Sequence, residues 1–223
     1  MAPDAGSGHD GRVPETAAVP VLVLLEGPSD VAALEAVLTS RGGKGEGTAY
    51  RLVDMGGVTN VARHLAEGAR QRPAPRVLGL CDAAEAWVVV RALRDAGHDV
   101  DDEADLERFG FFVCDRDLEE ELIRAHGVDA CLALLERQGL GHRFRAFSRQ
   151  RAWTGRPVED RLRRFSGVAS GRKVRLARDL AEALGPDQLP APIRGLVDRI
   201  GTRPTPAPTV GTGSRSGLRG WAP

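Results

Sequence analysis

The sequence is poor in histidine, lysine and aromatic residues, and it lacks any long apolar run. Its 223 residues include five scattered histidines, which excludes a histidine-rich metal site. No apolar run approaches the roughly 18 residues that a membrane span requires. No stretch matches the G-x-x-x-x-G-K-[ST] pattern of a phosphate-binding loop, so we expect no ATPase of that type among these residues.

Cysteine is also scarce, with only Cys81, Cys114 and Cys131. An odd count without C-x-x-C spacing, with two of the three inside apolar runs, predicts reduced core thiols and not a disulfide framework. The first 18 residues are mostly small and polar and carry three acids, which is unlike a secretory signal. We therefore expect a cytoplasmic protein with no membrane association.

Charge is balanced overall but divided along the chain. Residues 1–142 contain 14 Lys and Arg against 25 Asp and Glu, whereas residues 143–178 contain 12 basic residues against two acidic ones. An acidic front followed by a basic stretch suits carboxylates that bind cations and arginines that bind a polyanion. The alternative is a basic helical face that pairs with the acidic half inside the protein.

The order of apolar segments predicts one α/β domain with additions. Buried strands are expected at 21–25, 76–81 and 109–114, with a short strand at 50–53, and amphipathic helices follow them. Such alternation predicts a doubly wound, mostly parallel sheet of four strands flanked by helices. We assign the segments as a disordered N-terminus (1–18), a core (19–127), a basic helical C-terminal extension packed on the core (128–200) and a disordered tail (201–223).

Each of the three strongly apolar strands ends in an acid: Glu26, Asp82 and Asp115. The carboxyl ends of parallel strands meet at one edge of a sheet, where open α/β folds place their ligands. Second acids follow closely, and these are Asp30, Glu85 and Glu119. Because these acids would repel one another without a cation, we predict a site for Mg²⁺, with Mn²⁺ as the alternative ion. The other interpretation is ordinary, with Glu26 as a solvated turn residue and Asp30 as a helix cap.

Several motifs together resemble a TOPRIM domain, the topoisomerase–primase metal-binding module. They are Glu26-Gly-Pro-Ser-Asp30 after a strand, Gly56-Gly57 before a helix, and Asp82 at a strand end. More narrowly, the chain is similar to the TOPRIM half of OLD-family (overcoming lysogenization defect) nucleases. That similarity rests on Phe-Phe-Val-Cys-Asp-Arg-Asp-Leu-Glu119 and on the helix that begins near Ser170-Gly-Arg-Lys173, and it covers about residues 19–185.

The resemblance implies a Mg²⁺-dependent endonuclease or nickase that hydrolyses phosphodiester bonds in DNA. It implies catalytic roles for Glu26, Asp82 and Lys173. Metal ligands are expected among Glu26, Asp30, Asp82, Glu85, Asp115 and Glu119, with Asp117 as a supplementary candidate. Nucleic-acid contacts are expected from Arg163, Arg164, Arg172 and Lys173.

Lys173 also stands out from the composition. The chain has two lysines, Lys44 and Lys173, so 29 of its 31 basic residues are arginine. A lysine in such a chain can be selected for its compact, titratable ammonium group, although chance retention is the alternative. Among the nearby aromatic residues, Trp153 and Phe165 can stack on bases, or they can form the buried side of amphipathic helices.

The sequence departs from the family pattern in two respects. The family usually has Asp-x-Asp after the third strand, whereas this chain has Ala84 at the second position, in Asp82-Ala-Ala-Glu85. OLD proteins also carry an ABC-type ATPase, so we expect any ATPase to be a separate partner. Two other functions stay open: a degenerate module that binds nucleic acid or a partner ATPase without cutting, and nucleotidyl transfer.

Overall fold

The computed structural model describes residues 20–41, 49–167 and 171–202. The N-terminal segment predicted to be disordered lies outside the described residues, as does the predicted tail from residue 203 onward. No helix in the described part of the chain is long and apolar enough to span a membrane.

The centre of the structure is a four-stranded sheet in which every pair of neighbouring strands is parallel. The strands are β1 (Val21–Leu25), β2 (Tyr50–Asp54), β3 (Arg76–Asp82) and β4 (Phe111–Cys114), in the order β2-β1-β3-β4. The predicted parallel four-stranded sheet is therefore confirmed. Strand β4 begins two residues later than predicted, because residues 103–109 form a 3₁₀ helix that ends at a left-handed Gly110.

Helices flank the sheet and continue beyond it. They are α1 (Pro28–Ser40), α2 (Val61–Arg70), α3 (Ala86–Asp95), α4 (Leu118–His126), α5 (Val128–Arg137), α6 (Gly141–Ser148), α7 (Val158–Gly167), α8 (Arg172–Glu182) and α9 (Ala191–Gly201). Three further 3₁₀ turns lie at Val58–Asn60, Ala83–Glu85 and Pro186–Gln188. The turn at Ala83–Glu85 replaces the first turn of the helix that the sequence predicted from Ala83.

Two apolar layers cover the two faces of the sheet, which explains why β1 is apolar throughout. Val21, Val23 and Leu25 belong to the larger cluster, which includes side chains from α1 and from α4 to α9. Leu24 points to the other cluster, which α2 and α3 complete. Because successive strand residues face opposite sides, a strand between two such layers must be apolar at every position.

The pairing of α1 with α8 determines the position of the basic segment. The two helices pack along each other, and an ion pair joins Arg178 of α8 to Glu35 of α1 at 3.5 Å. Five residues earlier in each helix are Lys173 and Asp30, and their charges affect each other's pKa. The helices therefore run in the same direction, and the first turn of α8 lies at the carboxyl end of β1.

The three cysteines lie in the core. Cys81, Cys114 and Cys131 are free and buried, as the sequence predicted. Burial raises the pKa of each thiol, to about 12 for Cys81 and about 11 for Cys131. A thiol with such a pKa is protonated and unreactive at neutral pH, so these residues act as small apolar side chains.

Candidate metal centre

Three carboxylates meet where the two central strands end. Glu26 directly follows β1, Asp82 is the last residue of β3, and Glu85 closes the 3₁₀ turn behind it. One carboxylate oxygen from each of the three lies within 4.8 Å of the others. Strands β1 and β3 are neighbours and parallel, so their carboxyl ends are adjacent, and the short turn returns Glu85 toward the same point.

The proximity of these acids changes their protonation. Burial first, and then the charge of Glu26, raise the pKa of Asp82 to about 7. The pKa of Glu26 is also raised, by burial and by the charge of Glu85, with which it shares a side-chain hydrogen bond. Two carboxyl groups can share such a bond only if one is protonated. The three-carboxylate cluster therefore retains protons that isolated acids would release at neutral pH.

One oxygen of the cluster has no partner within the described structure. Glu85 Oε2 is buried and accepts no hydrogen bond there. A buried, unpaired carboxylate oxygen is costly, and carboxylate oxygens are the donors that Mg²⁺ and Mn²⁺ prefer. The residues present thus fit a divalent cation held by Glu26, Asp82 and Glu85.

A second group of charges lies beside the cluster. Asp30 accepts a hydrogen bond from the Gly27 backbone N–H at 3.0 Å, which is the capping role anticipated for it. Glu119, in the first turn of α4, is buried, and its Oε1 lies 3.2 Å from Lys173 Nζ. Burial and the charge of Glu119 raise the pKa of Asp30 to about 7. Burial lowers the pKa of Lys173, but the combined attraction of Glu119, Asp30 and Asp117 raises it above its ordinary value.

Glu26 and Asp82 of the first group, and Asp30, Glu119 and Lys173 of the second, line a single cleft of about 550 Å³. These five predicted residues share the cavity wall with Arg163 and with Asp117, the supplementary candidate, whereas Glu85 is not among the residues that line it. Ser29, for which the sequence analysis predicted no role, also lines the cleft, and its hydroxyl lies 3.5 Å from Asp30 Oδ1. Its position inside the Glu26–Asp30 turn was the signal available in the sequence.

Asp115 is not part of this arrangement, although it also follows a strand end. Its side chain is 76% exposed and lies 3.5 Å from Arg124. Its backbone N–H donates to Glu121 Oε1, and Glu121 in turn contacts Arg124 at 2.6 Å. The position of a residue at a strand end does not specify the side of the sheet that its side chain faces, and here the carboxylate points toward Arg124.

Of the three arginines predicted to contact nucleic acid, Arg163 lines the cleft, whereas Arg164 and Arg172 do not. Arg163 lines the cleft, where its guanidinium pairs with Asp117, and Asp117 also caps α4 by accepting the Glu120 N–H at 2.8 Å. Arg172 instead donates to the Phe165 carbonyl at 3.1 Å and lies 4.2 Å from the centre of the Phe165 ring. Arg164 is exposed on α7, outside the residues that line the cleft.

The aromatic residues of the basic segment are mainly structural. Phe165 is buried, and it packs edge-on against Phe144 at 5.4 Å between ring centres. Trp153 stacks on Phe147 at 5.3 Å and packs against the larger apolar cluster. The structure therefore favours the interpretation in which these aromatics form the buried side of helices.

Comparison with solved structures identifies proteins of the same fold. The chain is similar to the C-terminal region of the OLD protein of Burkholderia pseudomallei, with 21% identity and a TM-score of 0.61 over 81% of this chain and 96% of that one. A structure of the C-terminal region of the Xanthomonas campestris pv. campestris OLD protein gives 22% identity and a TM-score of 0.62 over 82% and 92% of the two chains. No family model and no curated protein matches the sequence.

These similarities confirm the predicted α/β TOPRIM-like fold and its resemblance to the C-terminal region of OLD proteins. Because only about one residue in five is identical, these similarities are evidence for the fold alone. The roles of individual residues must be argued from the geometry of this chain.

Proposed function

We propose that this protein is a divalent-metal-dependent endonuclease that hydrolyses phosphodiester bonds in DNA. The observation that supports this most strongly is the cluster of Glu26, Asp82 and Glu85 at adjacent strand ends, with the buried and unpaired Glu85 Oε2. A fold similar to that of the OLD C-terminal regions is consistent with nuclease chemistry at this edge.

Glu26, Asp82 and Glu85 would hold Mg²⁺, or Mn²⁺ in its place. The bound ion would supply an activated water and stabilise the leaving oxygen during in-line displacement. Glu85 would take the position of the second acid that the family pattern has at Ala84. The backbone of Glu26 is fixed before any metal binds, because its carbonyl accepts the Gly57 N–H at 2.9 Å.

Lys173 would neutralise the charge that develops on the phosphate. Its ammonium group lies in the cleft beside the metal cluster, and its raised pKa keeps it charged at neutral pH. The ion pair with the buried Glu119 holds it in position before substrate arrives. Preorganised charge of this kind stabilises a transition state more than it stabilises the ground state.

The basic segment would bind the DNA backbone. Arg163 lies in the cleft wall, and Arg164 is exposed on the same helix. Arg172 supports this surface indirectly, because it joins the start of α8 to the end of α7 through Phe165. A separate ATPase partner would supply any nucleotide-dependent regulation.

The decisive experiment is a supercoiled-plasmid nicking assay with Mg²⁺, Mn²⁺ or EDTA. We expect metal-dependent relaxation that falls on the order of 100-fold or more in Glu26→Gln, a variant that keeps the side-chain shape and loses the charge. Asp115→Asn is the matched control, because it also changes an acid after a strand end but lies outside the cleft. Equal cleavage by the wild type and Glu26→Gln would contradict the proposal.

A second function has one observation in its favour. Ala84 offers no ligand where the family pattern has an acid, which would suit a module that binds nucleic acid or a partner ATPase without cutting it. DNA binding that is indifferent to Mg²⁺, by a folded wild-type protein that yields no cleaved product, would favour this second function.

A further inference from the structure

One exposed aromatic residue follows the ligand candidate Glu85 by two positions and has no part in the function proposed above. Within residues 20–41, 49–167 and 171–202, Trp87 is the single exposed large hydrophobic side chain, with 57% of its surface accessible. It belongs to the first turn of α3, two residues after Glu85. Adjacent Cα atoms are about 3.8 Å apart, so the Cα atoms of Trp87 and Glu85 lie within about 7.6 Å of each other.

The direction of helical side chains points the indole toward the N-terminus of α3, the end of the helix that follows Glu85. Side chains on a helix lean toward its N-terminus and cover the preceding turn. For Trp87 that turn contains Ala84, which is small, uncharged and exposed. An aspartate at Ala84 would place a negative charge one turn before Trp87, whereas alanine leaves this exposed position uncharged.

The surroundings of Trp87 identify the kind of ligand that it suits. Protein interfaces bury about 800 Å² on each side and contain several apolar anchors, but Trp87 has no exposed large apolar neighbour in the described chain. Its neighbour one turn along the outer face of α3 is Arg91, whose side chain is 75% exposed. An isolated indole with a nearby guanidinium is typical of sites that stack a nucleobase and pair a phosphate.

We propose that Trp87 stacks on an unpaired nucleobase of the substrate, so that the protein prefers single-stranded or locally unpaired DNA at its cutting site. The inference rests on the proposed function, since it assumes that the scissile phosphate lies at Glu26, Asp82 and Glu85. Phosphates of one strand are spaced about 3.4 Å apart along a helix axis. A base one or two nucleotides from that phosphate is therefore within reach of Trp87. Stacking on the indole requires an unpaired base, because the faces of paired bases are covered inside the duplex stack.

The test measures binding separately from cleavage. Fluorescence anisotropy of a labelled single strand and of a blunt duplex of the same sequence is followed with Mg²⁺, in a Glu26→Gln background that protects the probe. We expect Trp87→Ala to weaken single-strand binding about 5- to 140-fold, the cost of losing one stacked base. Duplex binding should change less than twofold, and Trp87→Phe should retain most of the single-strand affinity.

Equal losses of affinity for both probes would overturn the inference. Unchanged affinity for both probes would also overturn it, and would favour a protein partner as the ligand of Trp87. Circular dichroism and thermal melting of Trp87→Ala confirm that the exposed substitution leaves the fold intact. The nicking assay separates the two proposals. Cleavage by the wild type with unchanged binding by Trp87→Ala refutes only base stacking. A wild type that cannot cut, with lost single-strand binding in Trp87→Ala, refutes only hydrolysis.

Discussion

Two acid-rich groups lie at the carboxyl edge of the same sheet, and they differ in what balances their charge. After β4, Glu120, Glu121 and Asp115 all lie within 3.5 Å of Arg124. After β1 and β3, none of the ion pairs seen in the described ranges involves Glu26, Asp82 or Glu85. The protein supplies its own cation to one group and retains protons in the other.

This difference separates structural acids from candidate ligands. Carboxylates that an arginine neutralises have their charge satisfied within the fold and need nothing from solution. Carboxylates that face one another without such a partner have raised pKa values, as Glu26 and Asp82 do, and a divalent ion can displace their protons.

Lys173→Ala should reduce the cleavage rate on the order of 100- to 1,000-fold, because it removes an ammonium group that lies in the same cleft as Glu26 and Asp82. Single-turnover nicking assays at saturating Mg²⁺ would measure this loss. Lys173→Arg serves as the control, since it keeps the charge but changes its shape, and we expect only partial recovery. Wild-type rates in Lys173→Ala would show that the lysine only balances Glu119.

Glu85→Ala should weaken Mn²⁺ binding by at least about 10-fold, which is the lower end of the cost of disturbing a metal site. Isothermal titration calorimetry gives the dissociation constant without any requirement for cleavage. The double variant Ala84→Asp, Glu85→Ala restores the family arrangement and should recover part of the affinity. If Glu85→Ala bound Mn²⁺ like the wild type, the cluster would not be the metal site.

The melting temperature of the metal-free protein should fall as the pH rises from 5 to 8. Asp30 and Asp82 have pKa values of about 7 in the folded protein, against 3.8 ordinarily, so the folded chain holds protons that the unfolded chain releases. That stabilisation is fully present below about pH 4 and is lost as the pH passes 7. Saturating Mg²⁺ should reverse the trend, because it binds the deprotonated carboxylates.

Differential scanning fluorimetry with and without Mg²⁺ measures both trends. The matched variant is Asp30→Asn, whose amide does not titrate. We expect its melting temperature, without metal, to change less with pH than that of the wild type. Identical pH profiles for this variant and the wild type would contradict the assignment of a raised pKa to Asp30.

Arg124→Ala should lower the free energy of unfolding by about 1–2 kcal/mol and leave cleavage unchanged. The substitution removes the cation beside the buried Glu121, although Glu121 still accepts the Asp115 N–H. Urea denaturation measures the loss, and the nicking assay tests whether the effect is confined to stability. A large loss of activity would place this group in the functional site after all.

The sequence was most informative where a side chain's position follows from the backbone. Glu26 and Asp82 were found because a buried strand that ends in an acid must place that acid at the edge of the sheet. Asp115 satisfied the same rule, but no local pattern reveals that its carboxylate turns toward Arg124. The position of Arg172 could not be predicted either. Sequence spacing does not distinguish a guanidinium that packs on Phe165 from one that is exposed to solvent.

The positions of Glu85 and Trp87 could not be predicted from the sequence. The sequence suggested Glu85 as a ligand but predicted an α-helix from Ala83, and it is the 3₁₀ turn that brings Glu85 to the cluster. Trp87 carried no signal because the apolar pattern of α3 includes it, whereas only the packed structure shows which member of that pattern remains outside the core.

The order of the strands has a consequence for how the protein unfolds. β1 and β3 occupy the two interior positions of the sheet, each hydrogen-bonded on both sides, and they carry Glu26 and Asp82 at their ends. Interior strands open only when a whole cooperative unit opens, so their amides exchange with solvent more slowly than those of edge strands. A cation bound at the ends of these two strands would exchange with solution through the cleft, and fraying of the edge strands would leave its ligands in place. It would therefore add RT ln(1 + [M²⁺]/Kd) to the free energy of global unfolding, which is the opening that exposes these strands to a protease.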